Sequence, residues 1–392
     1  MGSDDWMVIE GHVLEVLHEL PDASVQTCIT SPPYLGLRDY GIEPVIWGGD
    51  DGCDHTPVTS AETGTCERCG AWRGQLGHEA TPDEFVTHLA DVFEEVRRVL
   101  RDDGTLWVNL GDSYNGSGPA GGGLTHPGGH ARWPGLKQKD LVGVPWLFAF
   151  EMRRRGWFLR ADVIWAKPNP MPEPVTDRPV RSHEYLFLLT KSARYFYDYH
   201  AVREPLKSSP EAYLSKNHIG QKHKTIGGRP IRSLSFASVP SGRNLRDVWT
   251  IAPESYAEAH FATFPSRLVE PCVKAGTSEK GACANCGAPL RRILEPSIST
   301  ADVDEAEYLT KGWEPSCECF DGALEAQTVF DPFSGSGTTG MVARRLGRRY
   351  IGVEISPEYA AMSRRRIEEE GEGIRRTYDD AGDVMAEQVR LL

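Results

Sequence analysis

Three clusters in this sequence carry chemistry. The first is Asp331-Pro332-Phe333-Ser334-Gly335-Ser336-Gly337-Thr338-Thr339. Glycines between a strand end and a helix start let the backbone approach a ligand closely. The free N–H groups of the helix start favour an anion such as a carboxylate. Seventeen residues after Gly337, Glu354 closes the following strand, where an acid can take both hydroxyls of a ribose. No Lys follows the last glycine, so the turn is not a P-loop.

The second cluster is Thr30-Ser31-Pro32-Pro33-Tyr34. It sets a hydroxyl, a rigid backbone carbonyl and an aromatic face side by side. Consecutive prolines fix that carbonyl and end the strand, because neither can donate to a ladder. Such a group suits an exocyclic amine: two acceptors for its N–H bonds and a ring on which a base can stack. A tight turn or a loop exit from a sheet would show either motif alone.

The third cluster is metal-like. Seven of nine cysteines group as Cys53, Cys66 and Cys69, then Cys283, Cys286, Cys317 and Cys319. Cys283-x-x-Cys286, thirty residues, then Cys317-x-Cys319 is the spacing of a four-thiolate zinc ribbon. Cys53-x-His55 with Cys66-x-x-Cys69-Gly70 offers a second four-ligand set, for which His78 is the alternative nitrogen donor. Four-coordinate sites with no open position are structural.

The elements around these clusters alternate. Val25–Thr30 reads as a strand and Thr81-Pro82-Asp83-Glu84 as a capped helix start. Phe85, Leu89, Val92, Phe93, Val96 and Leu100 share one helical face. Asp102-Asp103-Gly104 reads as a turn and Thr105–Leu110 as a buried strand. The result is a βαβ unit and hence a parallel sheet. Asn115–Gly135 reads as a loop beside a site. Leu141–Arg155 reads as a helix, Phe158–Ala166 and Glu184–Thr190 as strands, and Tyr195–Tyr199 as a hairpin arm. A helix is expected over Phe261–Cys272. Strand Thr328–Phe330, helix Gly340–Leu346, strand Arg349–Val353 and helix Glu358–Glu369 close the chain, and its acidic last twenty residues are expected to fray.

Composition sets bounds. The chain has 392 residues, 40% hydrophobic and 25% charged, as in soluble globular proteins. No apolar run reaches membrane-spanning length. Met1–Glu10 carries acids rather than a basic, apolar leader, so a secretory signal is not expected. The net charge of −13 excludes indiscriminate coating of nucleic acid. Between Arg203 and Arg246, however, nine Lys/Arg face two acids, a local +7 that leaves −20 for the remainder. Pro205–Arg246 thus reads as an inserted element for a polyanion or as a solvated loop.

Taken together, the first two motifs resemble those of amino-methylating DNA methyltransferases that use S-adenosylmethionine. The order, Ser-Pro-Pro-Tyr early and Phe-x-Gly-x-Gly late, resembles their β class. Similar blocks are Leu110-Gly111-Asp112-Ser113-Tyr114, Trp165-Ala166-Lys167-Pro168-Asn169, Asp177-Arg178-Pro179 with His183-Glu184, and Ala259-His260-Phe261-Ala262-Thr263-Phe264-Pro265.

The resemblance implies an α/β fold: a seven-stranded Rossmann-like methyltransferase sheet with helices on both faces, a target recognition insertion and two zinc-stapled inserts. Residues 1–200 would form the catalytic half, with the Cys-rich insert 48–77. Residues 201–250 would be the target recognition region. Residues 251–392 would form the cofactor half, with the ribbon insert 281–320. It implies Ser31, Pro32, Pro33 and Tyr34 as catalytic residues. Asp331, Phe333, Gly335, Gly337, Thr338, Thr339, Glu354 and Phe264 would bind the cofactor. Lys222, Lys224, Arg229, Arg232, Arg243 and Arg246 would contact DNA, and Trp249 would either contact DNA or pack. At Gly11-His12 the family often has Gly-Asp, which leaves Glu10 as the neighbouring acid.

Ser at the first motif position is associated in that family with cytosine N4 methylation, and Asp with adenine N6. The expected function is therefore methyl transfer to the N4 amino group of a flipped cytosine in duplex DNA, with adenine N6 as the alternative. Cytosine C5 chemistry needs a thiolate in the catalytic motif. The only Pro-Cys pair, Pro271-Cys272, reads as core. An inactive zinc-containing DNA-binding module is the reading from another class. Intact Ser31–Tyr34, Gly335, Gly337 and Glu354 argue against it. The implied setting is the cytoplasm of a bacterial or phage-infected cell. The implied assembly is a monomer or homodimer, with a cognate restriction enzyme as partner.

Overall fold

The computed structural model describes residues 5–36, 41–50, 52–55, 64–116, 133–205, 225–226, 229–230, 242–254, 264–296, 308–372, 374–378 and 384–388. The chain divides into two units. One comprises residues 1–196, 247–276 and 328–392, and the other 197–246 and 277–327.

The first unit is built on a mixed sheet of β1 (Trp6–Glu10), β2 (Val25–Thr30), β3 (Leu100–Leu110), β4 (Phe158–Ala166), β5 (His183–Thr190), β6 (Val248–Thr250), β7 (Thr328–Asp331) and β8 (Arg349–Glu354). The spatial order is β1-β8-β7-β2-β3-β5-β4-β6. The run from β1 to β3 is parallel, β5 is antiparallel to β3 and β4, and β6 is parallel to β4. Eight strands form this sheet rather than the expected seven. The three residues of β6 are too short to show a period in sequence.

Helices α1 (Val13–Glu19), α2 (Pro82–Val99) and α3 (Val144–Arg154) form one layer, and α4 (Ser266–Gly276), α5 (Thr338–Arg345) and α6 (Pro357–Glu372) form another. An apolar core joins α1, α2 and α3 to the sheet through Leu17, Phe85, Leu89, Phe93, Phe148 and Phe187. α2 starts as its sequence predicts. Thr81 Oγ1 accepts from Glu84 N–H and the Glu84 carboxylate accepts from Thr81 N–H, both at 3.1 Å.

Several boundaries differ from expectation. Asp102-Asp103-Gly104 does not turn the chain. It forms a bulge inside β3, so that Val25 pairs with Leu100 but Thr27 with Thr105. Lys191 at 2.8 Å holds Asp102 there, and a side chain at 104 would meet Gln26 O at 2.7 Å. α3 begins at Val144 because the Asp112 carboxylate accepts from the N–H groups of Gly143 and Val144 at 3.0 and 3.2 Å. Tyr195–Tyr199 is irregular, not a strand. α5 starts at Thr338, two residues early, directly on left-handed Gly337. α4 runs from 266 to 276, and residues 255–263 lie outside the described residues, as do 117–132 of the expected loop. At the C-terminus, Ile374–Tyr378 pairs antiparallel with Val384–Gln388 where fraying was expected.

Among the described residues, the second unit holds three small antiparallel pairs: Thr225–Ile226 with Arg229–Pro230, Ala282–Cys283 with Leu324–Glu325, and Arg291–Pro296 with Tyr308–Glu314. No described helix is long and apolar enough to cross a membrane.

Candidate active site

Both chemical motifs sit at the carboxyl ends of adjacent parallel strands, where open α/β sheets bind ligands. At the end of β2, Ser31 Oγ lies 3.4 Å from Asn109 Oδ1 and 3.5 Å from the Tyr34 hydroxyl. The Tyr34 hydroxyl donates to Glu184 Oε2 at 2.8 Å and also reaches Asn109 Oδ1 at 3.2 Å. Lys167 pairs with the other Glu184 oxygen and lies 4.3 Å above the Trp165 ring.

Asn109 donates its amide to Tyr185 O at 3.1 Å, which turns Oδ1 toward both hydroxyls. An acceptor in that position takes the Ser31 proton and leaves the Ser31 lone pairs for an incoming N–H. A side chain at Gly111 would meet the Tyr34 ring at 2.7 Å, so glycine there makes room for it.

At the ends of β7 and β8, Glu354 holds the glycine turn. Its Oε2 accepts from Gly335 N–H at 2.8 Å and its Oε1 from Ser356 N–H at 2.9 Å. Burial pushes the Glu354 carboxyl upward. Gly337 adopts φ 81°, and a side chain there would meet Ser363 Oγ at 2.5 Å.

Two adjoining cavities open over these residues. One is lined by His12, Trp47, Gln75, Phe333, Gly335 and Glu354, among others. The other is lined by Ser31, Tyr34, Asn109, Glu184, Phe264 and Glu354, among others. Ser31, Phe333, Gly335 and Glu354 border both. A nucleoside in the first and an amine in the second would thus meet over Ser31.

Of the expected residues, Ser31, Pro32 and Tyr34 line the second cavity and Pro33 the first. Phe333, Gly335 and Glu354 line both, and Thr338 and Phe264 line the second. Asp331, Gly337 and Thr339 line neither cavity. Asp331 is fully buried, accepting from Thr30 Oγ1 at 2.6 Å and Phe333 N–H at 3.1 Å, and burial lifts its carboxyl to about 6. Thr339 Oγ1 donates to Ile29 O at 3.3 Å. These three residues hold the turn from beneath.

Glu10 is exposed and lines neither cavity. His12, in contrast, lines the first. Asn109, Lys167, Glu184 and Glu254 were not expected at the site. Asn109 had one signal, a polar side chain within an apolar strand. Glu254 accepts from Ser266 N–H at 3.0 Å and so fixes the start of α4.

Trp249 packs: it is buried, with its ring 6.4 Å from that of Trp107. Arg243 and Arg246 both pair with Glu204, Arg243 Nε at 2.7 Å and Arg246 Nη2 at 3.1 Å, which leaves the trio one net positive charge. Lys222, Lys224 and Arg232 lie outside the described residues, as does the Arg229 side chain.

Both cysteine sets converge. The ligand atoms of Cys53, His55, Cys66 and Cys69 lie within 4.8 Å of one another, as do those of Cys283, Cys286, Cys317 and Cys319. Tetrahedral zinc with bonds of about 2.3 Å to sulfur sets S···S at roughly 3.8 Å. Cys53–Cys66 is 3.8 Å, Cys283–Cys319 is 3.9 Å and Cys317–Cys319 is 3.7 Å. His55, not His78, joins the three cysteines, with Nδ1 3.3 Å from Cys69 Sγ. Backbone N–H groups of Cys69 and Arg68 pull the Cys66 thiol down to about 6, which favours the thiolate a metal needs. Cys28 and Cys272 are buried core residues.

A family model described as DNA methylase matches residues 25–286 and 319–365. The Type II methyltransferase M.Cfr9I of Citrobacter freundii is 36% identical over 371 residues, covering 93% of this chain and 88% of its own length. The Type II methyltransferase M.SmaI of Serratia marcescens is 34% identical over 372 residues, covering 92% and 90%. Among solved structures, the PvuII DNA methyltransferase (cytosine-N4-specific) is 18% identical, covering 92% of this chain and 86% of that chain, with a TM-score of 0.49.

Proposed function

The chain belongs to the N6/N4 DNA methylase family of amino-methyltransferases, and from that premise we propose that it methylates the N4 amino group of a cytosine flipped out of duplex DNA. The observation that carries this reading is the convergence of Ser31, Asn109, Tyr34 and Glu184 beside the Gly335–Glu354 turn. Ser at position 31 is what favours cytosine over adenine.

The methyl donor is S-adenosylmethionine, which supplies an electrophilic methyl group. Glu354, Phe333, Gly335, Thr338 and Phe264 would hold it. Asp331, Gly337 and Thr339 would shape the turn that does so. An exocyclic amine is a weak nucleophile because its lone pair is delocalised into the ring. Ser31 Oγ and the Pro32 carbonyl would accept its two N–H bonds and favour a pyramidal nitrogen. Pro32 and Pro33 make that carbonyl rigid, so no reorganisation is needed at the moment of transfer. The Tyr34 ring, fixed by Glu184, would stack on the flipped base. The nitrogen lone pair would take the methyl group as its bond to sulfur breaks, leaving S-adenosylhomocysteine. The alkylated nitrogen would then release one N–H proton, held by Ser31 Oγ or the Pro32 carbonyl, to solvent.

The basic stretch within residues 201–250 is proposed as the target recognition region, with Lys222, Lys224, Arg229, Arg232, Arg243 and Arg246 against phosphates. The two Cys-containing sets are proposed to hold structural zinc. A restriction enzyme of matching specificity is the proposed partner, and the cytoplasm the proposed location. Nucleoside analysis of duplex DNA after incubation with S-adenosylmethionine tests the reading. N4-methylcytosine is expected. N6-methyladenine would overturn the base assignment, and no product on any duplex panel would overturn the function.

A further inference from the structure

The first cysteine set and the first cavity share one small sheet. Val45–Trp47 pairs antiparallel with Trp72–Gly74, which pairs in turn with Gly64–Thr65. The metal-ligating residues lie in the two connections of this sheet. Cys53 and His55 follow Trp47, and Cys66 and Cys69 sit between the last two strands. Knuckle hydrogen bonds close the second connection: Cys66 N–H donates to Ala71 O at 2.7 Å and Gly70 N–H to Cys66 O at 2.9 Å. Val45 and Trp47, with Gln75 and Leu76 beyond the middle strand, line the cavity that Glu354 also lines.

Strands of two or three residues do not hold a sheet together unaided. On one side, among the described residues, Trp47 and Leu76 are buried in the apolar core, with Val45 and Trp72 packed against it. Trp47 donates Nε1–H to Gly74 O at 3.1 Å, and the His88 ring of α2 stacks on Trp72 at 5.4 Å and on Trp47 at 5.9 Å. The buried Glu79 carboxylate holds His88 Nδ1 at 3.1 Å. The other anchor is the four-ligand set.

We propose that the metal bound by Cys53, His55, Cys66 and Cys69 governs the affinity of the methyl-donor pocket, because it fixes the Val45–Trp47 and Gln75–Leu76 wall. This rests on the reading that the first cavity takes S-adenosylmethionine and that the set takes zinc. A preformed wall saves the ordering that binding would otherwise impose. Coupling is reciprocal, so donor-site occupancy must tighten the metal by the same factor. The second set, in the other unit, contributes no residue to either cavity.

The test is calorimetric titration of S-adenosylhomocysteine, with zinc content measured on the same samples. Cys66→Ser with Cys69→Ser should lose one zinc and bind about tenfold or more weakly. Cys286→Ser should also lose one zinc yet bind like the parent. Equal weakening by both variants, or affinity in the first within about twofold of the parent, would overturn the proposal. A parent protein that binds no S-adenosylhomocysteine would overturn the methyltransferase reading and this inference with it. Should the first variant not fold, zinc-buffered titration of the parent decides. Saturating S-adenosylhomocysteine should raise the zinc affinity of one site about tenfold, and no change at either site would overturn the proposal.

Discussion

The Tyr34 hydroxyl donates to Glu184 Oε2 at 2.8 Å, while Lys167 takes the other oxygen of the same carboxylate. The aromatic ring of the catalytic turn is thereby fixed from a strand 150 residues away in sequence. The ring and its hydroxyl therefore do separable work. Tyr34→Ala should lower methyl transfer about 10- to 100-fold, the worth of one base–aromatic stack. Tyr34→Phe keeps the ring and should lose less. Steady-state rates on one duplex check this, and equal losses would contradict a stacking role.

Asp331 predicts a pH dependence. Burial lifts its carboxyl from 3.8 in the unfolded chain to about 6 in the fold. Between those values the folded state holds more protons than the unfolded state. Stability from this group is therefore full below about pH 4 and declines as pH rises to 6, by roughly 3 kcal/mol in all. Asp331→Asn keeps an acceptor for Thr30 and removes the titration. Urea unfolding at several pH values should show the parent falling relative to the variant across this window. A constant difference would contradict the burial argument.

Gly337 is a backbone requirement. At φ 81°, with Ser363 Oγ 2.5 Å from a would-be side chain, Gly337→Ala should cost about 1–2 kcal/mol for the left-handed conformation alone. The displaced turn should also weaken S-adenosylhomocysteine binding. Unfolding melts and calorimetry measure both. Unchanged values would mean that the turn tolerates a side chain there.

The basic stretch predicts a salt effect. Replacing Lys222, Lys224, Arg229 and Arg232 with Ala should reduce the slope of log affinity for DNA against log salt by up to about 3.6. Donor affinity should stay unchanged. Arg243 and Arg246 should matter less, because Glu204 already pairs with both. An unaltered slope in the fourfold variant would remove those side chains from the DNA interface.

Metal content is a direct prediction. Two converged ligand sets call for about two zinc ions per chain after purification without chelator. Fewer than about one would contradict both sets.

What the sequence makes legible here is local. Ser31–Tyr34, Gly335, Glu354 and the paired cysteines carry their chemistry in short spacings that any fold must respect. Lys167 and Glu184 lie in blocks that the resemblance picks out, but that they meet Tyr34 beside Asn109 follows from strand order, and periodicity does not say which strands adjoin. Asp331 and Thr339 look like ligands in sequence, yet the end of β7 buries the first and the first turn of α5 buries the second against Ile29. Val248–Thr250 and the C-terminal pair of strands are too short or too polar to stand out.

The most direct measurement compares the parent with Ser31→Ala under single-turnover conditions, identifying the methylated nucleoside and titrating S-adenosylhomocysteine in parallel. The parent should yield N4-methylcytosine. Transfer should be slowed about 100-fold or more in the variant, with donor affinity nearly unchanged. Equal transfer rates in the two proteins would contradict the role assigned to Ser31, and with it methyl transfer at the Ser31–Tyr34 turn.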